Sequence, residues 1–157
     1  MADKTEFDDK GMIRVFTYGT LKHGHGNHRL FEMANAKFIA RDSITGHYIL
    51  KNMGGFPGAI KLLPEDDKEL PTTVIKGEVW ALEPEGLAAV DQLEGHPNFY
   101  RRQKMWTDGG KRAWMYALNP SFLTSRPHWL EDVNTCENGI WGASEEELEY
   151  WGISEAV

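Results

Sequence analysis

The stretch Val15-Phe16-Thr17-Tyr18-Gly19-Thr20-Leu21 joins an apolar run to a glycine turn near the start of the chain. Its β-branched and aromatic residues predict a buried strand over 12–18. The amides that follow the end of a strand lose their ladder partners, and glycine lets a ligand approach the backbone closely. Successive N–H groups in such a turn can hold an anion, and Thr20 adds a hydroxyl donor. Taken alone, the segment is more often an ordinary turn.

A helix that ends in a glutamate is the second informative feature. Pro84 can occupy the first position of this helix, and Gly95 can terminate it. With about 100° of rotation per residue, Glu94 falls between Leu87 and Val90, on the face predicted to be buried. Burial and the negative end of the helix dipole both raise the pKa of a carboxyl group. A pKa closer to neutrality suits a residue that takes and returns a proton.

An alternative interpretation of Glu94 remains open at this point. Leu93 widens the apolar stripe of the same helix, which favours an inward orientation of this turn. However, Glu94 lies in the last turn, where helix ends fray, and it could instead bend outward and pair with Arg101 or Arg102.

Composition excludes several classes of function. The 157 residues fit one domain, and the net charge of −7 argues against nonspecific nucleic-acid binding. No run approaches 18 apolar residues, so no membrane span is expected. The first ten residues hold four acids and no apolar run, which argues against a secretory signal. The single cysteine, Cys136, forms no intrachain disulfide, and the prediction is a reducing, cytoplasmic setting.

Hydrophobic periodicity and turn residues predict an α+β fold with a mixed, curled or barrel-like sheet. Strict β–α alternation is absent, which argues against a doubly wound fold. Two or three short helices are expected, and Ser144 with Glu147 forms a capping box for the last one. The predicted strands are 12–18, 37–40, 44–50, 58–63, 72–82, 100–106 and 111–118.

The chain divides into three predicted regions. Residues 1–11 read as a frayed tail, residues 12–119 as the folded domain, and residues 120–157 as a C-terminal extension packed on it. This extension contains three tryptophans, at positions 129, 141 and 151. They are more typical of a tail that folds over the domain than of a specificity pocket.

Three histidines lie close together after the first turn, at positions 23, 25 and 28. Their spacing, without a paired acid or cysteine, matches no strong zinc pattern, so we predict no metal and expect exposed loop histidines. Lys22, His28 and Arg29 could instead give the loop positive charge. Tyr100 could hydrogen-bond a substrate, or pack in the core with its hydroxyl satisfied.

Three motifs together resemble the γ-glutamylcyclotransferase-like family. They are Tyr18-Gly19-Thr20-Leu21, then Asp91-Gln92-Leu93-Glu94-Gly95, and Tyr100-Arg101-Arg102. The resemblance extends from about residue 13 to 119. The segment 15–22, with Asn27-His28-Arg29 after it, is most similar to the γ-glutamylamine cyclotransferase branch, and 76–80 also fits the family.

The resemblance implies a small β-barrel flanked by short helices, with a site beside the Tyr-Gly-Thr-Leu loop. Glu94 would be the acid–base residue, and the backbone of residues 18–21 would hold the γ-glutamyl or 5-oxoproline moiety. The implied substrate is a small γ-glutamyl amide, cyclised to 5-oxoproline without a cofactor. The alternatives are a non-catalytic module that binds a small acid in the same cavity, and a protein-interaction role of the tryptophan-rich tail.

Overall fold

The polypeptide forms seven β-strands and three α-helices over residues 11–62, 73–121 and 135–153, which are the residues that the computed structural model describes. A 3₁₀ turn at Glu137–Gly139 precedes the last helix. In chain order the elements are β1 (Ile13–Thr17), α1 (His28–Met33), β2 (Lys37–Thr45), β3 (Tyr48–Asn52), β4 (Pro57–Lys61), β5 (Val74–Leu82), α2 (Pro84–Glu94), β6 (Tyr100–Trp106), β7 (Arg112–Leu118) and α3 (Glu145–Trp151).

Strand β1 lies at the centre of a five-stranded sheet with the order β2-β5-β1-β7-β6. It pairs antiparallel with β5 and parallel with β7, so that Val15 lies opposite both Trp80 and Trp114. Successive side chains of a strand point to opposite faces. Val15 and Phe16 are both buried, in two different apolar clusters, because both faces of the sheet are covered. The continuous apolar run of β1 is therefore the signature of a central strand.

The predicted α+β fold is confirmed, but the sheet is not closed into a barrel. Strands β3 and β4 form a separate two-stranded sheet. The polar groups of β4 that could continue the ladder are bound by side chains instead. The Ala59 N–H donates to the Tyr18 hydroxyl at 3.0 Å, and the Tyr100 hydroxyl donates to the Pro57 carbonyl. Pro57 also lacks an N–H of its own, which removes a further ladder bond.

Two predicted strands, 37–40 and the start of 44–50, form one continuous strand, β2. Its register against β5 shifts between Phe38 and Ala40, which indicates a bulge. Arg41 and Asp42, which lie between the two predicted strands, are part of β2, and Asp42 is buried with its carboxylate bound. That carboxylate accepts hydrogen bonds from the N–H groups of Ser43 at 2.8 Å and Gly109 at 2.9 Å.

Helix α2 begins and ends where its proline and glycine predicted. Gly95 has a φ of +64° and closes the helix in the left-handed conformation. Leu87 and Val90 are buried, as the wheel predicts. Leu93 is 44% exposed, so its predicted place in the buried stripe was wrong. The last turn of α2 borders open cavities rather than the sheet, which explains the exposure of Leu93.

The described part of the C-terminal region, 135–153, packs against the loop that follows β1. The ammonium of Lys22 lies 2.7 Å from the carboxylate of Glu147, and both side chains are buried. The capping box between Ser144 and Glu147 is present. No helix among the described residues is both long and apolar enough to cross a membrane. The predicted tail, apart from Gly11, and Trp129 lie outside the described residues.

Candidate active site

A cavity of about 300 Å³ lies at the end of β1. The loop that contains Gly19 forms one wall, the turn around Phe56 another, and the last turn of α2 a third. Residues 18–21, Glu94 and Tyr100 all line it, so the structure brings the predicted site residues together. The full lining is Phe16, Thr17, Tyr18, Gly19, Thr20, Leu21, Asn27, Gly55, Phe56, Pro57, Leu93, Glu94, Phe99, Tyr100 and Tyr116.

The loop wall contains backbone amides that have no hydrogen-bond acceptor in the part of the chain that the structure describes. Among the described residues, no acceptor binds the N–H groups of Gly19, Thr20 or Leu21. Asn27 holds this loop in place with two hydrogen bonds to Thr20. The side-chain amide of Asn27 donates to the Thr20 hydroxyl at 2.8 Å, and the backbone N–H of Asn27 donates to the Thr20 carbonyl at 3.0 Å. Free donors at a strand end are the feature on which the expected anion site rests, and that site stays a prediction.

Gly19 is required for close packing rather than for a positive φ. A Cβ atom at this position would lie 2.6 Å from Cγ of Pro57. Any larger residue would therefore push the loop away from β4 and open the cavity. The glycine thus fixes the distance between the two walls.

Glu94 lines the same cavity and is only partly exposed. Burial raises the pKa of its carboxyl group from the ordinary 4.5 to about 7. None of the described residues forms an ion pair or a hydrogen bond with this carboxylate. Arg102, one of the two expected partners, pairs instead with Asp91 at 2.8 Å, and Arg101 is exposed. The structure therefore favours the inward orientation of Glu94.

Three tyrosines brace the cavity. The Tyr18 hydroxyl donates to the Tyr116 carbonyl, and the Tyr100 hydroxyl donates to the Pro57 carbonyl. Burial raises the pKa of all three phenols, so they remain neutral. Tyr100 is buried with its hydroxyl bound and also lines the cavity, so its contact with a substrate stays a prediction.

Sequence reasoning did not assign Asp91 and Tyr116 to the site, although a hydrogen bond joins them beside the cavity. The Tyr116 hydroxyl donates to Oδ1 of Asp91, the same oxygen that accepts from Nε of Arg102. Tyr116 lines the cavity, and the negative charge of Glu94 raises its pKa further. A signal existed for Asp91, because a residue three positions before Glu94 shares its helix face. Tyr116 carried none, since its contact depends on the packing of β7 against α2.

The loop after Leu21 is more buried than expected. Lys22 is fully buried in its ion pair, so it supplies no free positive charge. His28 is 7% exposed and donates through Nδ1 to the Leu21 carbonyl at 2.9 Å. His25 is half-buried against Trp141, and only His23 is exposed as predicted. Within the described ranges, no group of three or more metal-ligating side chains occurs.

Comparison with known proteins identifies the family. Residues 15–141 match the profile of the family described as γ-glutamyl cyclotransferase, AIG2-like. The chain belongs to this family. The γ-glutamylcyclotransferase family protein YtfP of Escherichia coli strain K12 is 31% identical over 129 residues, which cover 82% of this chain and 96% of YtfP. A protein of Methanocaldococcus jannaschii is 35% identical over 109 residues, 67% of this chain and 83% of that protein.

Solved structures of relatives share the fold of this family member. The crystal structure of an AIG2-like protein from Mus musculus superposes with a TM-score of 0.67 over 93% of this chain and 96% of that chain. At 20% identity, it shows the fold alone. The solution NMR structure of Escherichia coli YtfP gives a TM-score of 0.55 at 28% identity, over 83% of this chain and 96% of that chain.

Proposed function

We propose that the protein converts a γ-glutamyl amine or γ-glutamyl amino acid into 5-oxoproline and the free amine, with Glu94 as the acid–base residue. One observation carries the proposal. A carboxylate without a described partner, whose pKa is raised to about 7, lines the same cavity as a run of unbound backbone amides. Membership of the γ-glutamyl cyclotransferase, AIG2-like family supports the same reaction class.

In this reaction the α-amino nitrogen of the substrate attacks its own γ-carbonyl carbon. The new N–C bond closes a five-membered lactam, and the C–N bond to the leaving amine breaks. An ammonium group is not nucleophilic, so a base must first remove a proton. Glu94 takes this proton and returns it to the leaving nitrogen, and it carries the second proton in the same way after the attack; this role contributes about 10²–10⁴-fold to the rate. The ammonium loses two protons and the expelled amine gains two, so the reaction needs no redox or group-transfer partner.

The loop amides supply the second requirement, which is a fixed substrate. N–H groups of Gly19, Thr20 and Leu21 are free to bind the α-carboxylate or the developing oxyanion. Binding there would hold the substrate in the folded conformer that brings its two reacting atoms together. The ring of Tyr100 would form part of the wall behind the substrate. A chain with one cysteine fits a reducing setting, and we propose a cytoplasmic location on that ground.

The direct test is product formation from two substrates. Purified protein is mixed with γ-glutamyl-alanine or γ-glutamyl-ε-lysine, and 5-oxoproline is measured by mass spectrometry. We expect turnover by the wild type, a loss of kcat of about 10²–10⁴-fold in Glu94→Gln, and little change in the matched control Glu85→Gln. Glu85 is exposed in the first turn of the same helix.

Two results would contradict the proposal at different levels. Full activity in Glu94→Gln would remove the role of this residue. Absence of 5-oxoproline with every γ-glutamyl amide would remove the activity and favour a module that only binds a small acid. The open cavity and the inward carboxylate favour catalysis over such a module.

A further inference from the structure

A groove lies between α1 and α2 and adjoins the cavity. It has a volume of about 430 Å³, and Asn27 and Leu93 line both the groove and the cavity. Leu93 directly precedes Glu94 in the chain. The groove therefore borders the cavity at the residue next to Glu94, whose carboxylate is proposed to move the proton.

The floor of this groove is apolar and open to solvent. Leu30 and Ala89 contribute to it together with Met33, which is 74% exposed, and Leu93, which is 44% exposed. Single exposed apolar side chains are common, but contiguous ones beside a cavity are typical of a binding groove. A ligand with an apolar chain would cover them.

Arg29 gives the groove a positive charge. It is exposed, and among the described residues it has no ion pair or side-chain hydrogen bond. No other charged side chain lines the groove in the part of the chain that the structure describes. A guanidinium binds carboxylates well and repels a second cation. The groove is therefore matched to a ligand that has an apolar chain and a carboxylate.

We propose that this groove is the leaving-group subsite, and that it takes an amino acid with an apolar side chain whose carboxylate binds Arg29. The inference rests on the proposed cyclotransferase function. In that reaction Glu94 returns a proton to the leaving nitrogen, so the rest of the leaving group must extend from a point beside Glu94. The groove starts there. The N–C bond that breaks then releases a free amino acid, and its nitrogen receives the proton.

A second open groove adjoins the cavity on another side but fits this role less well. Cys136 and Trp141 contribute to its lining, and it meets the cavity at Gly55. Its described lining includes no residue of α2, and none of those residues carries a charge. It therefore lies away from the proton donor and offers no partner for a carboxylate.

The experiment compares three substrates that differ only in the leaving group. γ-Glutamyl-leucine carries the apolar chain and the carboxylate, γ-glutamyl-leucinamide lacks the charge, and γ-glutamyl-methylamide lacks both. Release of 5-oxoproline gives kcat and KM for each. Because each comparison is a ratio measured on one protein preparation, partial unfolding of a variant does not change it.

Two variants test the two parts of the groove. Arg29→Met should lower the preference in kcat/KM for γ-glutamyl-leucine over γ-glutamyl-leucinamide about three- to tenfold, mostly through KM, as expected for an exposed charge-assisted contact. The matched control Arg101→Met removes an exposed arginine outside the groove and should leave this preference unchanged. Met33→Ser should lower the preference for γ-glutamyl-leucine over γ-glutamyl-methylamide about threefold through lost apolar contact.

The outcomes separate the subsite from the reaction. The predicted ratio changes support the subsite. Turnover of all three substrates with equal effects of Arg29→Met and Arg101→Met overturns the subsite alone. Self-association or protein binding that is lost in Met33→Ser, with unchanged substrate ratios, overturns it in favour of a protein partner. Absence of 5-oxoproline from every substrate overturns the proposed reaction and the subsite with it.

Discussion

Replacement of Glu94 by glutamine should remove activity and yet stabilise the protein above neutral pH. The carboxyl group has a pKa of about 7 in the folded protein, against an ordinary value of 4.5. Below about pH 4.5 it is protonated in both states, and its contribution to folding is fully present. As the pH rises through about 7, the folded protein must accept a buried charge that no described residue compensates, and that contribution is lost. Glutamine has nearly the same shape as glutamate but does not ionise, so the variant does not lose this stability as the pH rises.

The magnitude follows from the size of the pKa shift. A rise from 4.5 to about 7 corresponds to about 3 kcal/mol of unfolding free energy once the pH is well above 7. Because the cavity opens to solvent, screening reduces this value, and we expect about 1–3 kcal/mol. The free energy of unfolding of Glu94→Gln, relative to that of the wild type, should therefore increase by about 1–3 kcal/mol when the pH is raised from about 5 to about 9.

The assay is urea unfolding of the wild type and Glu94→Gln at both pH values, with Glu85→Gln as the matched control. The quantity of interest is the change with pH of the stability difference between variant and wild type. A difference that stays constant in Glu94→Gln, or one that grows equally in Glu85→Gln, would refute the reasoning that Glu94 is buried and uncompensated.

Three further predictions concern the same region. In Gly19→Ala, the new Cβ would lie 2.6 Å from Pro57 Cγ. The free energy of unfolding should therefore fall by about 1–3 kcal/mol, and activity assays should show a higher KM. Wild-type values for both would contradict the close approach. Lys22→Met breaks the buried pair and should lower the free energy of unfolding, measured with urea, by about 3–5 kcal/mol. The double variant with Glu147→Leu should recover part of this stability, whereas additive losses would argue against a coupled pair. If Glu94 is the base, kcat/KM should rise with pH through about 7 in wild-type protein, and a flat profile across this range would contradict that role.

Local sequence signals predicted most of the elements. The run in β1 predicted a buried strand, and the proline and glycine around α2 predicted both of its ends, because each of these signals acts within a few residues. The hairpin of β6 and β7 and the cap at Ser144 are of the same kind. The helical wheel also oriented Glu94, since the face of a helix depends only on its period.

Long-range pairing explains what the sequence did not reveal. A sheet closed into a barrel was expected, but hydroxyls of Tyr18 and Tyr100 bind the free edge of β4, and a sequence does not show which tyrosine binds which backbone group. Lys22 was considered as a source of positive charge for the loop, and its burial depends on Glu147, which is 125 residues away along the chain. The bracing of the site by Tyr116 likewise depends on tertiary packing.

A crystal structure of the complex with 5-oxoproline tests the central claim most directly, because it shows whether one ligand occupies the space between the loop amides and Glu94. We expect an oxygen of 5-oxoproline within about 3 Å of the N–H groups of residues 19–21, and a carboxylate oxygen of Glu94 within about 3 Å of the lactam nitrogen. A ligand bound elsewhere, or a Glu94 side chain that points into bulk solvent in the complex, would contradict the account.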